Sequence, residues 1–205
     1  MGDSLIYGYG DPEGGGWVER LRREWMNPET PGPILYNLGV RGDGVVQVLQ
    51  RWETEFLCRG ELRNRRPDGL LLSVGVNDSA RLGKPDGRNF TDFDRYRAAL
   101  HELLERSRQH CPVWMVGTVP VEESRMPFLE CFYYSHAEQY RYKEAAKEIC
   151  RDLDIPYLDL FDRWLARGSD WRRSRIGADG LHPNPAGYAA ILQDVKVWSS
   201  KITHP

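Results

Sequence analysis

Short apolar runs alternate along the chain with longer segments of helical period. The runs are Ile34–Leu38, Leu70–Val74, Val113–Gly117 and Ile155–Leu158, flanked by breakers such as Pro31-Gly32-Pro33, Pro67-Asp68-Gly69, Pro112 and Pro156. Near-continuous apolar runs of this length predict strands covered on both faces. From Val45 to Leu57 the set Val45, Val48, Leu49, Trp52 and Phe56 follows i, i+3, i+4, i+7, i+11 spacing, which predicts an amphipathic helix. Thr91 or Asp92 can cap a second helix carrying Phe93, Tyr96, Leu100, Leu103 and Leu104. Ser135 and Glu138 form a capping-box pair ahead of a third, over Tyr140–Leu153. A fourth runs from Pro185 to about Ser200, with proline in its first turn. Strands alternating with helices predict a parallel sheet with helices on both faces, in a single α/β domain over residues 1–205.

Composition narrows the function classes. The 205 residues carry 28 basic and 30 acidic side chains, a net charge of −2, so there is no electrostatic footprint for nucleic acid or an anionic membrane. A local basic run at Arg63, Arg65 and Arg66 has Glu55 and Glu61 close by and reads as a solvated face. No apolar stretch approaches the ~20 residues of a membrane helix, and Met-Gly-Asp-Ser-Leu-Ile has neither a basic segment nor an apolar signal core. Cys58, Cys111, Cys131 and Cys150 form no C-x-x-C pair, so buried free thiols and a reducing, cytoplasmic home are expected.

Candidate chemistry sits in four loops, and open parallel sheets build their sites at strand ends. Gly2-Asp3-Ser4-Leu5, Asn37-Leu38-Gly39-Val40-Arg41-Gly42-Asp43, Gly75-Val76-Asn77-Asp78 and Asp179-Gly180-Leu181-His182-Pro183-Asn184 each read, alone, as turn or cap chemistry. Together they match the needs of acyl transfer by a serine. Ser4 supplies a nucleophile and His182 a base. Asp179, three residues earlier, can fix the tautomer of that base. The Ser4 and Gly42 backbone N–H groups and the Asn77 amide can serve a developing oxyanion.

These four ordered blocks resemble the GDSL, or SGNH, hydrolase family, named for Ser, Gly, Asn and His, here Ser4, Gly42, Asn77 and His182. The resemblance spans Gly2 to about Tyr188. It implies a three-layer α/β/α sandwich with a flavodoxin-like sheet of five parallel strands in the order 2-1-3-4-5. It also implies hydrolysis of a small-molecule, lipid or carbohydrate ester without metal or cofactor. The alternative is a binding or interaction protein that keeps the fold and turns over little. In the family an apolar first strand precedes the Gly-Asp-Ser block, whereas only Met1 precedes Gly2 here. The first strand is therefore expected to be truncated, with the Ile34 and Leu70 strands facing a gap; the preferred reading is that the natural start lies upstream, the alternative that the protein folds without this strand.

The other polar groups have plainer readings. Asp3 and Asp78 are expected to brace their loops by accepting backbone N–H bonds. His101, His110, His136 and His204 fall outside the blocks and are not expected to be catalytic. Trp171, close before the His182 loop, is a candidate for substrate contact. The variable segments Ser79–Phe90 and Pro120–Tyr134 are expected to shape the pocket. The second carries Met126, Phe128, Leu129, Phe132, Tyr133 and Tyr134, an apolar cluster that reads as a lid or a homodimer contact.

Overall fold

A computed structural model describes residues 1–30, 32–60 and 66–202. Pro31, Glu61, Arg63, Arg65 and His204, named above, lie outside the described residues. Five short strands form two sheets among the described residues: β1 (Leu70–Leu72), β2 (Arg81–Leu82), β3 (Val113–Val116), β4 (Phe132–Tyr133) and β5 (Tyr157–Leu158). The main sheet is parallel, in the order β1-β3-β5, with Leu71 opposite Trp114 and Met115 opposite Tyr157. β2 and β4 pair antiparallel inside the two segments expected to vary.

The helices are α1 (Ser4–Tyr7), α2 (Gly16–Trp25), α3 (Val45–Leu57), α4 (Val76–Ser79), α5 (Phe93–Arg108), α6 (His136–Asp152), α7 (Leu160–Ala166), α8 (Ser169–Arg173) and α9 (Pro185–Ile202). Strand alternation assigns them to two layers, because successive side chains leave opposite faces of a sheet. Leu70, Leu72, Val113 and Met115 join the core packed by α3, α5 and α6. Leu71, Trp114, Val116 and Leu158 join the opposite core, packed by α2, α7 and α9. The result is the expected three-layer arrangement.

The run Ile34–Leu38 differs from expectation. It forms no ladder, and Ile34 is 67% exposed. It meets the sheet only at its end, where Gly2 bridges in parallel to Gly39 on one side and to Ser73 on the other. Four hydrogen bonds hold that crossing. Gly2 N donates to the Leu38 carbonyl (3.3 Å), Val40 N to that of Gly2 (3.0 Å), Ser73 N to that of Met1 (3.1 Å), and the Met1 amine to that of Leu71 (2.6 Å). Pairing over two residues sustains bridges but not a strand, so Ile34 and Tyr36 remain exposed. The spatial order of Gly39, Gly2, Ser73, then β3 and β5, keeps the sense of 2-1-3-4-5 with its first two members reduced to single bridges. Gly2 has no room for a side chain: a Cβ there would lie 1.9 Å from the Ser73 carbonyl oxygen.

Two further expectations change in detail. The third predicted helix starts earlier, at His136. Ser135 Oγ accepts the Glu138 N–H as a cap, while the Glu138 carboxylate turns away to Arg81 and Asn89. Of the four thiols, Cys111 and Cys150 are buried, but Cys58 at the end of α3 and Cys131 beside β4 are exposed. No helix among the described residues is long and apolar enough to cross a membrane.

Candidate active site

Ser4 opens α1, directly after the bridge at Gly2. Asp3 caps this short helix by accepting the Leu5 N–H on Oδ1 at 2.9 Å. His182 arrives from the far end of the chain on a loop that its own backbone ties down. Asp179 Oδ1 accepts the N–H groups of Leu181 and His182, each at 3.0 Å. Gly177 N donates to the His182 carbonyl at 2.7 Å, and Asn184 then leads into α9. The Tyr188 hydroxyl on α9 donates to the Tyr9 carbonyl at 2.8 Å, fastening the last helix to the segment after Ser4.

The three side chains form one line. His182 Nδ1 lies 2.7 Å from Asp179 Oδ2, and His182 Nε2 lies 2.9 Å from Ser4 Oγ. A carboxylate only accepts, so Nδ1 carries the proton and Nε2 is free to accept from the hydroxyl. Burial raises the Asp179 pKa. The His182 ring bond and the N–H groups of His182 and Leu181 outweigh that effect and hold it below the ordinary carboxylate value. Ser4 and His182 are 4% and 5% exposed, whereas the Asp179 side chain at the far end of the line is 29% exposed.

Gly42 and Asn77 are brought together by their neighbours. The Asn77 Nδ2 donates to the carbonyl of Asp43 at 2.8 Å, and the Asp78 carboxylate receives the Val45 N–H. Gly42 has φ +83°, a conformation that favours glycine, and its Cα faces open space. No acceptor among the described residues engages the backbone N–H of Ser4 or of Gly42. Asp3 and Asp78 accept backbone N–H groups as expected, and Asp78 also binds Thr91.

The surroundings add residues the sequence reading did not assign. Tyr9 lies edge-on to the His182 ring, centroids 4.6 Å apart, with the Arg41 guanidinium over its outer face at 3.9 Å. Phe128, from the apolar cluster, flanks the same imidazole at 5.7 Å. The Tyr134 hydroxyl donates to Asn77 Oδ1 at 3.2 Å. Tyr9 carries no local signal beyond following the Ser4 block. Trp171 instead packs between Arg167 and Arg175, edge-on to Trp164. His136 Nε2 bonds the Val121 carbonyl and His110 packs on Trp52 and Phe56. Glu144, Asp159 and Asp162 lie close enough together to hold a cation, and the Lys143 ammonium already sits among them at 2.6, 3.1 and 2.7 Å.

Solved structures share this fold at low identity. The lipase/acylhydrolase from Enterococcus faecalis superposes with a TM-score of 0.72 at 24% identity, covering 97% of this chain and 93% of its own. The psychrotrophic esterase EstA from Pseudoalteromonas sp. gives 0.71 at 19%, covering 100% and 97%. The acetylxylan esterase Axe2 from Geobacillus stearothermophilus gives 0.69 at 17%, covering 96% and 90%. No curated protein matches the chain. The profile of the GDSL-like lipase/acylhydrolase family matches residues 1–190, nearly the whole chain. The chain belongs to that family of ester-hydrolysing enzymes.

Proposed function

We propose that the protein is a serine esterase in which Ser4 attacks the ester carbonyl and His182 takes its proton. The observation that carries this reading is the hydrogen-bonded line Asp179–His182–Ser4, closed at 2.7 and 2.9 Å. Ser4 Oγ forms a bond to the carbonyl carbon as its proton passes to His182 Nε2. The oxyanion then rests on the N–H groups of Ser4 and Gly42 and on the Asn77 amide, donors held in place before charge develops. Collapse expels the alcohol, which takes the proton from His182. Water repeats the sequence and frees the acid. Asp179 stays ionised and stabilises the imidazolium that forms in each half.

Substrates are small-molecule or carbohydrate esters, with Tyr9 and Phe128 forming the apolar flanks beside His182. p-Nitrophenyl esters of two to twelve carbons test the reading and set the acyl length. The wild type turns over at least part of the series, and Ser4→Ala loses about 10³-fold or more in kcat. Ser4→Ala retaining wild-type turnover contradicts the assignment. A folded wild type inert to the whole series supports a binding role instead.

A further inference from the structure

The Asn77 amide is gripped at both ends. Nδ2 donates to the Asp43 carbonyl at 2.8 Å, and Oδ1 lies 3.2 Å from the Tyr134 hydroxyl. A backbone carbonyl can only accept, so the NH₂ end must face Asp43. The oxygen end therefore faces Tyr134, and Tyr134 must donate. Of the two orientations that the near-symmetric amide shape allows, the Asp43 carbonyl selects this one, and the Tyr134 hydroxyl, which could donate or accept, donates here and holds the amide plane against rotation. In that orientation Asp43 takes one of the two Nδ2 hydrogens and the other remains for an oxyanion. In the flipped orientation Oδ1 would meet the Asp43 oxygen, and the second hydrogen would be lost to the site.

Tyr134 is built for this task. Its ring is 5% exposed, so the hydroxyl cannot turn to bulk water for a substitute partner. Burial, followed by the charges of Asp3 and Asp78, pushes the phenol well above its ordinary pKa, so it remains a donor throughout the working range. Its position is fixed in sequence as well: the next residue, Ser135, caps α6. Its segment also carries Phe128, against His182, and the Glu122 N–H, which donates to the Gly180 carbonyl at 2.8 Å. One connection thus touches both the base and the candidate oxyanion donor.

We propose that Tyr134 is a positioning residue for ester hydrolysis, its hydroxyl locking the Asn77 amide with Nδ2 toward the oxyanion. This rests on the reading of Asn77 as an oxyanion donor. The test is a double-mutant cycle with steady-state kinetics on a p-nitrophenyl ester that the wild type hydrolyses. Tyr134→Phe keeps the buried ring and removes the donor. Its kcat is expected to fall about five- to twentyfold, equivalent to ~1–2 kcal/mol, with KM within about twofold. Added to Asn77→Ala, the same change is expected to alter kcat less than about twofold, because no amide is left to orient. Wild-type kcat in Tyr134→Phe overturns the proposal. So does an equal loss in both backgrounds, which marks a purely structural role. Wild-type kcat in Asn77→Ala would instead remove the oxyanion reading, and the proposal with it, a distinct outcome visible in that single variant.

Discussion

The Asp78 carboxylate receives the Val45 N–H on both its oxygens, at 3.0 and 3.1 Å, across 33 residues of sequence. That bond joins the start of α3 to the turn carrying Asn77, and the Asn77–Asp43 bond doubles the connection. Gly42, immediately before Asp43, is thereby fixed relative to Asn77. Two proposed oxyanion donors from separate loops are thus tied together, as preorganised stabilisation of an oxyanion would require.

Removal of the amide tests that element. Asn77→Ala is expected to lower kcat by roughly 10²–10³, with a much smaller change in KM, because ground-state carbonyls use such a donor weakly. The variant also strips partners from the Asp43 carbonyl and the buried Tyr134 hydroxyl, so its melting temperature should drop. A tenfold rise in KM at unchanged kcat would make Asn77 a substrate-binding residue.

Gly42→Ala separates backbone direction from bulk. Nothing lies within 4 Å of the added Cβ, so the cost is the left-handed backbone alone, about 1–2 kcal/mol. The protein should fold, and kcat should fall about tenfold or more as the N–H swings out of line. A variant with wild-type kcat would take Gly42 out of the oxyanion site.

Asp179→Asn probes the tautomer. The fold should persist, since an amide oxygen can still accept the Leu181 and His182 N–H groups. Turnover should fall about 10²–10⁴-fold because Nδ1 loses its ionised partner. EDTA should leave the rate unchanged. Loss of activity in EDTA, restored by zinc or magnesium, would contradict the mechanism.

Buried carboxylates set a pH dependence of stability. Burial pushes the Asp3 pKa up to about 7, with the Leu5 N–H opposing and the charges of Asp78 and Asp43 reinforcing. Burial likewise pushes Asp78 up to about 6 against its bonds from Thr91 and Val45. On their own these two shifts leave the folded chain holding protons that the unfolded one has released, at Asp78 up to about pH 6 and at Asp3 up to about pH 7, so their share of stability falls as pH rises. The buried Met1 amine, pushed down to about 5, acts in the opposite sense from about pH 5 to 8. Asp3→Asn isolates the Asp3 share, and its Tm should gain on wild type as pH is raised from 5 to 8. A Tm difference that stays flat or shrinks over that range would refute this.

Much of the frame was legible because periodicity reports burial. The patterns of α3, α5, α6 and α9, and the apolar runs of β1, β3 and β5, each face a core they can be read from. Ile34–Leu38 is also mostly apolar but pairs only at its end, and an apolar run cannot reveal a missing neighbour. α2 was hidden behind Gly14-Gly15-Gly16, although Trp17, Val18 and Leu21 form its buried face. In the candidate site, Ser4, Gly42, Asn77, Asp179 and His182 announced themselves through local motifs. Tyr9 and Tyr134 did not, because their contacts with His182 and Asn77 exist only once distant segments meet.

If Ser4 is a nucleophile activated by His182, it should react covalently with an organophosphorus electrophile. Wild-type protein incubated with a fluorophosphonate should gain one adduct by intact mass, mapped to Ser4 by peptide sequencing. Ser4→Ala should gain none, and His182→Ala should label at least about a hundredfold more slowly. An adduct on another residue, or a folded wild type that stays unlabelled while still hydrolysing esters, would rule out Ser4 as the nucleophile.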